Sequence, residues 1–124
     1  MVGYVTVGTN DFEKAVGFYD ALFEAAGVGR AMEIENFVVW GKSLAGGPAG
    51  LAVTKPYDGS AASVGNGVML ALAAESKEQV DTLHAKALEL GGADEGAPGP
   101  RGDGFYAGYF RDLDGNKLNA YFIG

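Results

Sequence analysis

A chain of 124 residues with 48% hydrophobic and 20% charged content fits one compact domain able to bury a real core. It has no cysteine, which excludes disulfides, a thiol nucleophile and thiolate metal sites together. The formal net charge of -7 repels phosphate backbones, and the 9 Lys and Arg are scattered, so no nucleic-acid partner is expected and a cationic or neutral ligand is favoured.

Val2 to Gly8 alternates, with β-branched residues, and runs into Thr9-Asn10-Asp11. That pattern predicts a strand leading to a helix start. The helix is predicted from about Asp11 to Ala26, with Ala15, Phe18, Tyr19 and Leu22 at the spacing of one apolar face and Gly27 and Gly29 as its stop. Three short strands follow, at Ala31 to Glu35, Phe37 to Gly41 and Gly50 to Lys55, with Gly46-Gly47-Pro48 as turn chemistry before the last. Pro56 to Asn66, rich in Gly, Ser and Ala, is the linker stretch. A strand from Gly67 to Ala74 and a helix from Ser76 to Leu90 open the second half, where Ser76-x-x-Gln79 has the capping-box pattern. A weak strand at Ala93 to Gly96 leads into a loop with Pro98, Gly99, Pro100, Gly102 and Gly104. Phe105 to Arg111 and Lys117 to Ile123 form the best hairpin, joined through Asp112 to Asn116. The longest apolar run, Val68 to Ala74, is too short to span a bilayer, and no basic region followed by an apolar stretch opens the sequence. The expectation is a soluble, cytoplasmic protein without a membrane partner.

Laying Tyr4 over Met69 brings the two halves into step. Asp11 then meets Ser76 as helix cap, and Ala15, Phe18, Tyr19 and Leu22 meet Val80, Leu83, His84 and Ala87. Few identities support the overlay, so the hydrophobic pattern carries it. The order βαβββ occurs twice, at residues 1–57 and 64–124 with 58–63 between, and the two modules are expected to make one domain.

The runs Tyr4-Val-Thr-Val-Gly-Thr-Asn-Asp-Phe, Phe18-Tyr19-Asp20 and Arg111-Asp-Leu-Asp-Gly-Asn-Lys-Leu resemble the vicinal oxygen chelate superfamily of glyoxalases, extradiol dioxygenases and bleomycin-resistance proteins. The resemblance covers nearly the whole chain. It implies an α+β fold in which two βαβββ modules form a cupped mixed sheet, with helices on the convex side and a ligand site within the concavity. In metal-using members His or Glu on the first and last strands of each module hold a divalent ion. Carried over, those places fall on Tyr4, Ala52, Met69 and Asn119, the register at Ala52 being the loosest because the preceding loop can shift it. None is a carboxylate or an imidazole, so no metal and no cofactor is expected, and metal-dependent glyoxalase or dioxygenase chemistry is disfavoured.

Other constellations are better read as structure. His84 is the only histidine; it takes the place of Tyr19 in the overlay, at the border of the buried helix stripe and leaning outward. Asp112, Asp114 and Asn116 imitate the opening of a calcium loop, but Lys117 stands where the loop needs Gly and Ile123 where it needs a bidentate Glu. Gly46 to Gly50 lacks the Lys-Ser/Thr of a phosphate loop.

Strand alternation sets Val5, Val7, Leu118, Ala120 and Phe122 toward the helices. Tyr4, Thr6, Asn119 and Tyr121 then face the cup, together with Met69 and Trp40, and Arg101 in the Pro/Gly loop is placed to cap an anionic group. Such a lining suits an organic ligand held by stacking and hydrogen bonds. Two functions follow. One is a metal-independent binding protein for an aromatic or amphipathic small molecule, in the manner of bleomycin-resistance proteins. The alternative is a lyase or isomerase in which Tyr4 or Tyr121 donates a proton without the usual metal, so whether the chain is an enzyme stays open. The resemblance further implies a homodimer.

Overall fold

The computed structural model describes residues 1–45 and 47–124, so the turn expected at Gly46-Gly47-Pro48 falls partly outside the described residues. The chain divides into two compact units, Met1–Val64 and Gly65–Gly124. The first contains β1 (Tyr4–Gly8), α1 (Phe12–Glu24), β2 (Arg30–Ile34), β3 (Phe37–Trp40) and β4 (Gly50–Thr54). The second contains β5 (Leu70–Ala73), α2 (Lys77–Glu89), β6 (Ala93–Pro100), β7 (Phe105–Arg111) and β8 (Lys117–Ile123). The α+β class and the doubled βαβββ order are as the sequence predicts.

Both helices start as their residues dictate. Asp11 and Ser76 are extended, and their side chains accept from the backbone N–H of Lys14 and of Gln79, at 3.2 and 3.0 Å. These bonds satisfy amides that have no partner inside a first turn. The Gln79 side chain completes the box one residue early, accepting from the N–H of Glu75 at 2.8 Å. Each helix ends at a glycine in the left-handed region, Gly27 at φ 73 and Gly91 at φ 101, which turns the chain back toward the sheet.

Each unit forms a four-stranded mixed sheet, in the order β1-β4-β3-β2 in the first and β5-β8-β7-β6 in the second. The first strand pairs parallel with the last, and the remaining pairs are antiparallel. Ring contacts identify the face that each helix covers. In the first unit Tyr19 and Phe23 of α1 pack on Trp40, which lies opposite Leu51, itself opposite Val5. In the second, the His84 ring meets Phe110 edge-on, and Phe110, Leu118 and Leu70 are successive cross-strand neighbours. Trp40, Leu51, Phe110 and Leu118 are accordingly buried. The opposite, open face of each sheet is not covered by its own helix.

One element is longer than predicted. β6 continues to Pro100 through residues read as loop, with register irregularities between Asp94 and Gly96 and between Gly96 and Gly99. As an edge strand it needs hydrogen bonds on one side only, so its prolines and glycines bend the strand without ending it.

Two glycines give opposite stability tests. At Gly92 a Cβ would stand 2.7 Å from the Arg111 carbonyl oxygen and 2.8 Å from that of Ala87, so backbone must move; at Gly17, within α1, it would meet nothing within 4 Å. Urea denaturation is expected to show Gly92→Ala less stable by about 1–3 kcal/mol. Gly17→Ala is expected to be more stable by about 0.5–1 kcal/mol, through helix propensity.

Candidate functional site

Alternation puts Tyr4 and Thr6 on the open face of the first sheet. Tyr4 is 47% exposed and its ring meets Phe37 edge to face at 5.9 Å. Thr6 lies opposite Ala52, which lies opposite Val39. Apart from the Tyr4 and Thr6 hydroxyls and Thr54, this surface is apolar. Trp40 does not share it and lies on the helix side of the sheet, away from the face where it is expected beside Tyr4 and Thr6. The indole is 1% exposed, packed on α1, and its Nε1–H donates to Asp20 Oδ1 at 2.8 Å. An all-apolar strand, Phe37-Val38-Val39-Trp40, leaves its facing undetermined until a partner for the indole N–H is known.

On the open face of the second sheet stand Asn119 and Tyr121. Tyr121 stacks on Phe105, with centroids 5.5 Å apart and planes at 12°. Asn119 is 2% exposed, opposite Ala71 and Tyr109, and its buried Oδ1 has no hydrogen-bond partner among the described residues. Leaving such an acceptor unpaired costs about 1–3 kcal/mol, so the position is expensive for folding alone. Met69 lies just before β5 and is 41% exposed.

Arg101 is not a loose loop residue. Its guanidinium folds back over the Tyr109 ring, 5.6 Å from the centroid, and donates to the carbonyls of Ala97 at 2.7 Å and Pro100 at 3.3 Å. Lys117 Nζ approaches the same ring at 5.7 Å. Sequence reasoning missed Tyr109 and Lys117 as neighbours of Asn119. Counting outward from the Asp112–Asn116 turn finds them, because Arg111 pairs with Lys117 and Tyr109 with Asn119.

The four places that the superfamily resemblance assigns to a metal hold a phenol, a methyl group, a thioether and a carboxamide, at Tyr4, Ala52, Met69 and Asn119. That donor set does not fit a divalent ion, which wants imidazole, thiolate or carboxylate ligands. Among the described residues no group of three or more His, Cys, Asp or Glu is arranged to hold one. The acidic hairpin is a turn. Asp112 Oδ1 accepts from the N–H of Asp114 and of Asn116, both at 2.9 Å, and Oδ2 accepts from the Asn116 amide. His84 is 5% exposed, and its Nε2 lies 3.1 Å from both Asp94 Oδ1 and the Tyr109 carbonyl oxygen. Since both neighbours accept, this nitrogen carries the proton and ties α2 to β6 and β7.

A hollow of about 500 Å³ opens beside the end of α1, lined by Asp20, Glu24, Gly27, Val28, Gly29 and Trp40. Of its two carboxylates, Asp20 is engaged within the unit, paired with Arg30 at 2.7 Å as well as with Trp40.

The sequence matches the family described as Glyoxalase/Bleomycin resistance protein/Dioxygenase superfamily over residues 1–120. The chain belongs to that superfamily. A glyoxalase/bleomycin resistance protein from Albidiferax ferrireducens is similar at 38% identity and TM-score 0.88, covering 98% of this chain and 97% of its own. A hypothetical protein from S. aureus is similar at 27% identity and TM-score 0.74, covering 99% of this chain and 92% of its own. A lactoylglutathione lyase from Agrobacterium tumefaciens shares the fold, at 20% identity and TM-score 0.68 over 98% of this chain and 91% of its own. Nothing among curated proteins matches.

The Asp20 pair sets a pH test. The hydrogen bond from Arg30 holds the Asp20 carboxyl below its ordinary value, against partial desolvation and with help from Trp40. A carboxylate depressed in the folded state stabilises it fully above the unfolded value near pH 4, and that contribution is lost as pH falls through the folded value. Asp20→Asn should therefore lower stability at neutral pH, and its deficit against the parent should shrink as pH falls from about 4 through the folded value. Urea denaturation across that range checks this, and a deficit independent of pH would contradict it.

Proposed function

We propose that this chain is a metal-independent binding protein for a small organic ligand, aromatic or amphipathic, which it holds without chemical conversion. The reading rests on Asn119. The superfamily resemblance assigns that place to a metal-binding Glu, and here a neutral amide stands there, nearly fully buried, with an oxygen lacking a partner. Such a group does not supply the negative charge that a divalent ion requires, but it does accept a hydrogen bond from a bound molecule. Tyr121 and Tyr109 flank it on the same face and supply stacking surface, and Arg101 adds a charge nearby. Tyr4 and Thr6 give the first unit a more apolar open face with two hydroxyls. We further propose that the protein works in the cytoplasm as a homodimer whose interface uses the same patch of each copy.

Elemental analysis of untagged protein is expected to find well below one transition metal per chain, and stoichiometric zinc, nickel or iron would overturn the reading. Sedimentation at micromolar concentration should give the dimer mass. Screening by ligand-observed NMR against neutral, anionic and cationic aromatic molecules is expected to yield binders. Tyr121→Ala should weaken them by about 1–3 kcal/mol, through lost stacking and hydrogen bonding. His84→Ala should cost stability and leave the affinity of the folded fraction unchanged.

A further inference from the structure

The chain is acidic, with a net charge of -7, yet the open face of its second sheet is locally cationic. Arg101 and Lys117 both lie over Tyr109, and neither is paired with a carboxylate among the described residues, whereas Arg30 and Arg111 each are. The Arg101 guanidinium is exposed and spends hydrogen bonds only on two carbonyls, out of five N–H donors. Its course across β6 passes close to two glycines. A Cβ at Gly99 would stand 3.2 Å from Nη1, and one at Gly96 would stand 3.4 Å from Nη2. The guanidinium thus lies over Tyr109 beside the bare backbone of β6.

Directly across the ladder from Tyr109 is Asn119, with its buried, unpartnered Oδ1. One face thus offers two cations without a counter-ion, an acceptor without a donor, and the rings of Tyr109 and Tyr121 beside them. Their complement is an anion at one end of a molecule, a hydrogen-bond donor at the other and a flat apolar body between.

We infer that the ligand of this face is an aromatic carboxylate bearing a hydroxyl or amino group, its carboxylate seated on Arg101 and Lys117 and its donor on Asn119 Oδ1. The inference rests on the binding reading above, and it reverses the ligand charge that net composition favours. Guanidinium suits a carboxylate in particular, because its parallel N–H groups match the two oxygens.

The test uses para-hydroxybenzoate as probe, with para-hydroxybenzyl alcohol lacking the charge and benzoate lacking the donor, followed by amide NMR and calorimetry on the full chain. The acid should bind more tightly than either control by about tenfold or more. Arg101→Gln and Lys117→Gln should each weaken the acid by about tenfold more than they weaken the alcohol, and added salt should weaken chiefly the acid. Asn119→Ala should erase the advantage over benzoate. Arg101 and Lys117 lie outside the buried core, so their variants keep the test decisive if the Asn119 variant folds poorly. Equal binding of acid and alcohol, or charge variants that leave the acid's affinity intact, would overturn the carboxylate assignment while the binding reading stood. Failure of the acid, with a neutral or cationic aromatic still perturbing Tyr121, would do the same. If no aromatic molecule perturbs the face, both readings fall.

Discussion

Each unit depends on the parallel pairing of its first strand with its last. A parallel pair cannot be closed by a tight turn, so the chain leaves β1 or β5 through a helix that crosses one face of the sheet. That crossing buries Ala15, Phe18, Tyr19 and Leu22 in the first unit and Val80, Leu83, His84 and Ala87 in the second. It also commits the other face to a different use. Residues two apart along a strand share a face, so once α2 covers Leu118 and Ala120, Asn119 and Tyr121 point the other way. The polar and aromatic residues of the candidate site are where they are because the connection between parallel strands can cover only one side.

How far the sequence reveals this arrangement depends on whether a strand alternates. β8 reads Leu118, Asn119, Ala120, Tyr121, and its facing is legible because only one of its two sets is apolar. β3 is apolar at all four positions, and Trp40 goes to the helix side for a reason that lies elsewhere in the chain, the Asp20 carboxylate that receives its N–H. β6 fails in a different way. Its Gly and Pro content reads as loop by every local rule, and only its place at the sheet edge, beside β7, makes it a strand. The partners of Asn119 were legible in principle, since the hairpin turn fixes the register from Arg111–Lys117 outward. Arg101 was not, because its position over Tyr109 follows from the irregular course of β6, which no spacing in the sequence encodes.

The two units show how one topology carries two kinds of surface. On the open face of the first, Tyr4, Phe37, Val39, Met32 and Ile34 make an apolar sheet surface with few polar groups. At corresponding depth the second carries Asn119, Tyr109, Arg111 and Lys117. Nothing in the helix-facing sets requires this difference, since both cores are built from the same aliphatic and aromatic types. The divergence lies on the faces turned away from the helices, where the side chains differ while the strand order stays the same.

Among the described residues, Asn119 is the one whose buried side chain carries an unpaired polar atom. Its neighbours Leu118 and Ala120 are fully buried and satisfied by apolar packing, and an aliphatic residue at Asn119 would bury its surface without leaving an acceptor unpaired. Folding alone favours that replacement. On the proposed binding reading, an amide kept almost completely out of solvent with an unpartnered oxygen serves a ligand, because a donor arriving with it replaces no existing protein hydrogen bond and recovers the penalty already incurred. On that reading the recovered penalty favours a molecule that carries a donor over one that does not.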